Sequence, residues 1–225
     1  MDMTKKKVSI LALDGGGIRG LMTTKILAYL ESKLTGPLHS YFDIIAGTST
    51  GGIIAMGLTV PVENSKSSLY TAKELIDIYR LNGSEIFSRS IKHSLLSGWG
   101  LFKAKYQTKG IEKVTYKYFK DAKLSKSLTN TLVLSYGING DHPVYFKNVN
   151  ALLDPEHWDY KLSKIAQATG AAPTFFPPVH ITNDAGEKHL LVDGGIVRNN
   201  PAQSAVSYAN ELYPNATEYH LVSIG

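Results

Sequence analysis

Short continuous apolar runs alternate with stretches of helical period through the first sixty residues. Val8–Leu13 is an apolar run closed by Asp14 and three glycines, the pattern of a strand buried on both faces. From Leu21 to Leu34 the apolar residues stand at 21, 22, 26, 27, 30 and 34, a helical period that Gly36-Pro37 ends. Tyr41–Ala46 reads as a second strand and Thr50–Leu58 as a very apolar helix opening in glycines. Strand, helix, strand and helix joined by short turns predict an α/β fold. Its central sheet is expected to be mostly parallel and flanked by helices on both faces, in three α/β/α layers.

Further along, Thr71 with Glu74 forms a capping-box pattern for a helix reaching about Asn82. Residues 83–130 show no sustained period, and scattered helices are expected there. Thr131–Ile138 and Pro143–Asn148 read as strands around a Gly140-Asp141 turn. Lys161–Ala172 has a helical pattern that Pro173 stops. Leu190–Val192 is a short buried strand running into Asp193. Asn200-Pro201 opens a helix through Leu212, and Tyr219–Ile224 is a last strand. There is no internal repeat, so a single domain over 1–225 is expected. A chain that stops on a strand of central character predicts a domain continuing beyond Gly225.

Composition narrows the chemistry. With 43% hydrophobic and 19% charged residues the chain is an ordinary globular protein. The absence of cysteine excludes disulfides, thiolate catalysis and cysteine-bound metal. None of the histidines pairs at i, i+3 or i, i+4, so a histidine metal site is not expected; no cofactor is called for. The apolar run after Lys5–Lys7 is too short for a signal peptide. Ile44–Val60 is interrupted by four glycines and does not read as a membrane span. A cytoplasmic protein is expected, and a membrane partner would have to be met from its surface. The net charge of +5 is concentrated in residues 88–126, which hold ten Lys/Arg and two Asp/Glu. Trp99, Phe102, Tyr106, Tyr116, Tyr118 and Phe119 are interleaved there. The segment reads either as a solvated basic face over core aromatics or as a seat on anionic lipid. No nucleic-acid-reading motif accompanies it.

Gly47-Thr48-Ser49-Thr50-Gly51 matches G-x-S-x-G and lies between a predicted strand and a predicted helix. A nucleophile elbow needs this setting, with serine on a tight turn and small neighbours where strand and helix approach. The plain alternative is a glycine-rich turn without chemistry. Serine needs a base, and Asp193 stands at a strand end before Gly194-Gly195, where ligands gather in α/β sheets. It could equally be a turn-forming Asp-Gly. Gly15, Gly17 and Gly20 satisfy G-x-G-x-x-G, yet a dinucleotide site fails its context. The next strand does not end in an acid, and Asp14 would repel a pyrophosphate. Glycine amides at a helix start also suit a transient oxyanion, with Arg19 adding positive charge.

"DGGGIRG", "GTSTGG" and "DGG", in this order, resemble the signature blocks of the patatin-like phospholipases. "ELIDIYRLNGSEIF", "ATGAAPTFFPP" and "VDGGIVRNNPA" are similar to the family's intervening segments, and the likeness runs from about Val8 to Gly225. The resemblance implies a serine acyl hydrolase acting on phospholipid or other acyl-lipid esters at a membrane surface. It implies Ser49 as nucleophile and Asp193 as base. The amides of Gly15, Gly16 and Gly17 would form the oxyanion hole, with Arg19 supporting the loop. The apolar run Ala171–Val179 would line an acyl channel or pack in the core. Two rivals stand beside this reading. One is an α/β-hydrolase triad of Ser49, Asp193 and His220; the other is a lipid-binding module that keeps the fold without turnover.

Overall fold

The computed structural model of the protein describes residues 4–63, 65–86 and 108–225. Seven strands form one mixed sheet: β1 (Lys7–Leu13), β2 (Ile44–Thr48), β3 (Asn130–Gly137), β4 (His142–Lys147), β5 (Val179–Thr182), β6 (Lys188–Asp193) and β7 (Glu218–Ile224). The strand order is β5-β6-β3-β2-β1-β7, with β4 beside β3. β7, β1, β2 and β3 are mutually parallel, and β4 and β6 run antiparallel to β3. The parallel part matches the expectation from continuous apolar runs, since β2 is buried at every position. β5 and the helices at 148–158 and 195–198 have no counterpart in the sequence reading. β2 begins at Ile44, later than the apolar pattern suggests, because Leu38–Ser40 forms a 3₁₀ turn.

Helices cover both faces. Side chains alternate along β1, so Leu11 and Leu13 face one layer while Val8 and Ile10 face the other. The first layer contains α1 (Gly20–Glu31), α2 (Thr50–Thr59), α3 (Ala72–Ile86), α4 (Thr108–Phe119) and α7 (Leu162–Thr169). The second is built on α9 (Ala202–Leu212), whose Tyr208 is fully buried against the sheet. Between these lie the short helices α5 (Asn148–Leu153), α6 (Pro155–Trp158) and α8 (Gly195–Arg198). The predicted capping box opens α3: Glu74 accepts from Thr71 N–H at 2.8 Å, and Thr71 Oγ1 accepts from Glu74 N–H at 3.2 Å. No described helix is long and apolar enough to cross a membrane.

One register decides where the chemistry sits. β4 occupies one edge of β3 along Leu132–Gly137. On the other edge β2 pairs with Asn130–Leu134, and β6 takes over at Ser135–Gly137. β2 and β6 therefore share one lane of the sheet and run toward each other. Thr48 pairs with Leu134 and Asp193 with Ser135, so the two strands stop tip to tip. Residues 144 positions apart in sequence become neighbours through a common partner strand.

Candidate active site

Three segments meet at this junction. The first is the turn from β2 into α2. Ser49 holds φ 55° and ψ −124°, a sparsely populated conformation that costs a residue with a Cβ about 1–3 kcal/mol. Its neighbours explain why no relaxed path exists. A Cβ on Gly47 would lie 2.2 Å from Gly51 O, and one on Gly51 would lie 2.1 Å from Leu13 O. Strand and helix touch backbone to backbone, so glycine is required on both sides of the serine. Ser49 N–H donates to Thr169 Oγ1 at 2.9 Å, and the Thr169 hydroxyl donates to Leu134 O at 2.5 Å. Thr48 Oγ1 donates to Arg198 O at 2.9 Å. The Thr50 hydroxyl pairs with that of Tyr79, tying the elbow to α3.

The second segment is the end of β6. Asp193 is 4% exposed, and its backbone N–H donates to Ala171 O at 3.0 Å. Its carboxylate accepts twice: from Ser49 Oγ–H at 2.5 Å on Oδ2 and from Gly195 N–H at 2.7 Å on Oδ1. Burial pushes its pKa above the ordinary carboxylate value, while the hydrogen bonds from Ser49 and Gly195 pull it down.

The third segment is the glycine loop. Gly15 N–H donates to Asn199 O at 3.1 Å, and Asn199 Nδ2 donates to Gly15 O at 3.1 Å. The Gly15 amide hydrogen is therefore already engaged. Among the described residues no acceptor meets the N–H groups of Gly16 and Gly17, which begin the 3₁₀ turn ahead of α1. Arg19 lies on the same turn, its N–H on Gly16 O at 3.1 Å. The segment after Asp193 thus holds the elbow through Arg198 and the glycine loop through Asn199. His220 is placed elsewhere. It sits within β7 opposite Ser9, well short of the strand's carboxyl end, and its Nε2 lies 2.8 Å from Glu218 Oε1.

Ser49, Gly16 and Gly17 border a cavity of about 770 Å³, within the range of pockets that enclose drug-sized ligands. Its walls are mostly apolar: Ile53 from α2, Leu75 and Ile78 from α3, Ile111 and Val114 from α4. The run expected to line an acyl channel divides. Ala172, Phe175 and Phe176 face the cavity, whereas Ala171 and Val179 pack in the core. The hydroxyls of Thr50, Tyr70, Tyr79 and Thr115 on the wall are engaged internally. Tyr70 donates to Tyr118 O at 2.8 Å, and Thr115 donates to Ile111 O at 2.8 Å. Of the basic 88–126 segment, Trp99, Phe102, Lys103, Lys105 and Tyr106 lie outside the described residues; Phe119 is buried and Tyr118 lines the cavity.

Sequence reasoning missed Thr169, Asn199 and Tyr79. Thr169 lay inside a helical pattern whose only visible signal was its end. A near-isosteric Thr169→Val leaves the partly buried Ser49 N–H without its acceptor, which costs about 1–3 kcal/mol. We expect a lower melting temperature for Thr169→Val and its recovery in Thr169→Ser, both read by thermal denaturation.

The fold and site define an α/β protein with a strained serine elbow paired to a buried aspartate beside an apolar cavity. A family model described as patatin-like phospholipase matches residues 11–206, and the chain belongs to that family. Patatin-like protein 3 of Arabidopsis thaliana is 38% identical over 222 residues, covering 89% of this chain and 51% of its own. Patatin group J-1 of Solanum tuberosum is 33% identical over 220 residues, covering 92% of this chain and 54% of its own. The Solanum tuberosum protein named probable inactive patatin-3-Kuras 1 is also 33% identical, over 91% of this chain and 55% of its own. The chain spans about half the length of the curated relatives it matches. Among solved structures, VipD from Legionella pneumophila aligns with a TM-score of 0.43 at 14% identity, over 87% of this chain and 47% of its own.

Proposed function

We propose that this chain is a lipid acyl hydrolase that cleaves fatty-acyl esters of the phospholipase A or lysophospholipase type. The observation that carries this reading is the 2.5 Å contact from Ser49 Oγ to Asp193 Oδ2 at the border of the apolar cavity. Ser49 Oγ attacks the ester carbonyl as its proton passes to Asp193. The oxyanion that forms is met by the amides of Gly16 and Gly17 beside the start of α2. Collapse of the adduct expels the alcohol, which takes the proton from Asp193, and leaves the acyl chain on Ser49. Water, deprotonated by Asp193, then attacks the acyl carbonyl; the adduct expels Ser49 Oγ, which takes that proton back from Asp193, and the fatty acid leaves. No cofactor or metal takes part in these steps. The cavity suits the acyl chain, because its lining is mostly apolar and the Tyr70 and Thr115 hydroxyls on its wall are already engaged.

A non-catalytic lipid-binding module remains the second reading, because one relative is named probable inactive. The strained Ser49 and its direct bond to Asp193 favour turnover, since strain of this kind is retained where it serves chemistry. Hydrolysis of a panel of phospholipids and lysophospholipids, with and without a serine-directed phosphonate, tests the proposal. Phosphonate-sensitive release of fatty acid supports it, and the absence of release from every ester overturns it.

The glycine loop makes its own prediction. A Cβ at Gly15 would lie 2.4 Å from Asn199 Oδ1 and 3.1 Å from Ser49 Cβ, whereas one at Gly16 meets nothing closer than Arg19 Cβ at 3.5 Å. Gly15→Ala pushes apart the clamp that aims the loop. Losing an oxyanion donor lowers kcat by about 10²–10³-fold, and Gly15→Ala is expected to approach that loss with little change in KM. Gly16→Ala should keep the wild-type melting temperature. Steady-state kinetics on a soluble ester, together with a thermal melt, separates the two variants.

A further inference from the structure

Helix α1 buries only part of its apolar pattern, through Leu27 with Leu21 and Leu30 against the core. Its buried positions include Thr23 and Thr24, while Met22, Ile26 and Tyr29 are 64%, 45% and 65% exposed. Ile18, one turn before Met22, is 51% exposed and borders the cavity. At spacings of four, four and three, these side chains form one stripe along the helix. An apolar stripe turned outward while threonines are turned inward is a local conflict of the kind found at functional surfaces.

The charges beside the stripe say what covers it. Arg19, Lys25 and Lys33 are exposed around it, and Lys33 Nζ lies 5.2 Å from the centre of the Tyr29 ring. Between residues 15 and 35 the single acid is Glu31. Its carboxylate is turned away, accepting from Ala72 N–H at 2.8 Å and Leu38 N–H at 3.4 Å. A second copy docked by two-fold symmetry would set these cations against their own images without an acid of the stripe to pair them. An anionic bilayer answers both features, with the apolar side chains entering the acyl boundary and the basic ones meeting headgroups.

We propose that the outward face of α1, together with Ile18 on the turn before it, docks the protein on an anionic lipid surface and places the cavity mouth against it. The choice of partner rests on the acyl hydrolase reading. The stripe begins at the cavity, so a lipid drawn from the surface reaches Ser49 without crossing water.

The test uses the full chain carrying Ser49→Ala, so that vesicles stay intact, and vesicles of equal parts phosphatidylcholine and phosphatidylglycerol. Met22→Gln, Ile26→Gln and Tyr29→Gln together should lower the bound fraction in co-sedimentation by about tenfold or more. Lys25→Glu should lower it by about fivefold or more on these vesicles and leave binding to pure phosphatidylcholine unchanged. Because the chain has no cysteine, Met22→Cys carrying an environment-sensitive fluorophore reports burial directly, and this needs no tolerance of the triple change. Its emission should shift to the blue on vesicles, whereas the same label at Ser207→Cys on α9, across the sheet, should not respond. Equal vesicle binding by the triple variant and its parent overturns the proposal. So does an unresponsive label at Met22 on sedimenting protein, or a wild-type dimer that the triple variant dissolves. With Ser49 restored, the triple variant should hydrolyse a water-soluble butyrate ester at the wild-type rate. If wild type cleaves no ester at all, the hydrolase reading falls, while the vesicle measurements still decide the docking face.

Discussion

Replacing Ser49 by alanine is expected to lower kcat on a soluble ester by about 10⁴-fold or more, because the covalent route loses its nucleophile. The variant should nevertheless fold. Serine at this position is strained at φ 55°, and alanine carries the same Cβ in the same conformation. The lost hydroxyl was a donor to Asp193, whose Oδ1 keeps the Gly195 N–H at 2.7 Å. Its Oδ2 then faces the cavity border without a donor, which burial makes unfavourable for the carboxylate. Treatment of wild type with a fluorophosphonate should place one adduct on Ser49 by peptide mass spectrometry. An adduct on Ser9, Ser135 or Ser204 instead, with Ser49 unmodified, would remove the proposed mechanism. Full activity in Ser49→Ala would do the same.

The parts of this site that were legible in the sequence are those where backbone geometry forces residue choice. Gly47 and Gly51 are visible because nothing larger fits where β2 and α2 touch. Asp193 is visible because it ends an apolar strand before two glycines. What the sequence does not display is the lane shared by β2 and β6. The pairing of Thr48 with Leu134 and of Asp193 with Ser135 depends on a third strand, and no local pattern encodes it. The cavity walls were hidden for another reason. Leu75, Ile78, Ile111 and Val114 occupy ordinary amphipathic spacing, which reads the same whether a helix faces packed core or open volume. Helix α1 was legible as a helix and partly as a face, since Leu21, Leu27 and Leu30 of its apolar period pack on the core. Met22 and Ile26 counted toward its apolar period, yet both point outward. The close approach at Gly20, where a Cβ would lie 2.4 Å from Thr50 Oγ1, shows how tightly the start of this helix sits on the elbow. Thr169 belongs with these cases, because its role appears only once Ser49 N–H needs an acceptor.

Asp193→Asn is expected to abolish turnover on the same scale while leaving the protein as stable as wild type at neutral pH, or more so. The carboxylate is held in a site that raises its pKa by burial, against the pull of its hydrogen bonds from Ser49 and Gly195. The sign follows from linkage. A folded-state pKa above the unfolded one means the charged form is disfavoured by folding. That cost is absent below the unfolded pKa and fully present once pH exceeds the folded one. Asparagine removes the charge and keeps the shape. Its Oδ1 can take the Gly195 N–H, and its Nδ2 can donate to Ser49 Oγ, which accepts as readily as it donates. The melting temperature of Asp193→Asn should therefore equal or exceed that of wild type at pH 7, with the difference shrinking as pH falls through the folded pKa. Activity follows the opposite requirement. The base must be ionised, so kcat/KM of wild type should fall on the acid side with an apparent pKa above the usual carboxylate range. His220→Ala should leave that profile and most of the rate unchanged, since its imidazole is engaged with Glu218 within β7. A pH-rate profile with thermal melts of the three proteins decides the matter. Loss of activity in His220→Ala with retention in Asp193→Asn would transfer the base to histidine.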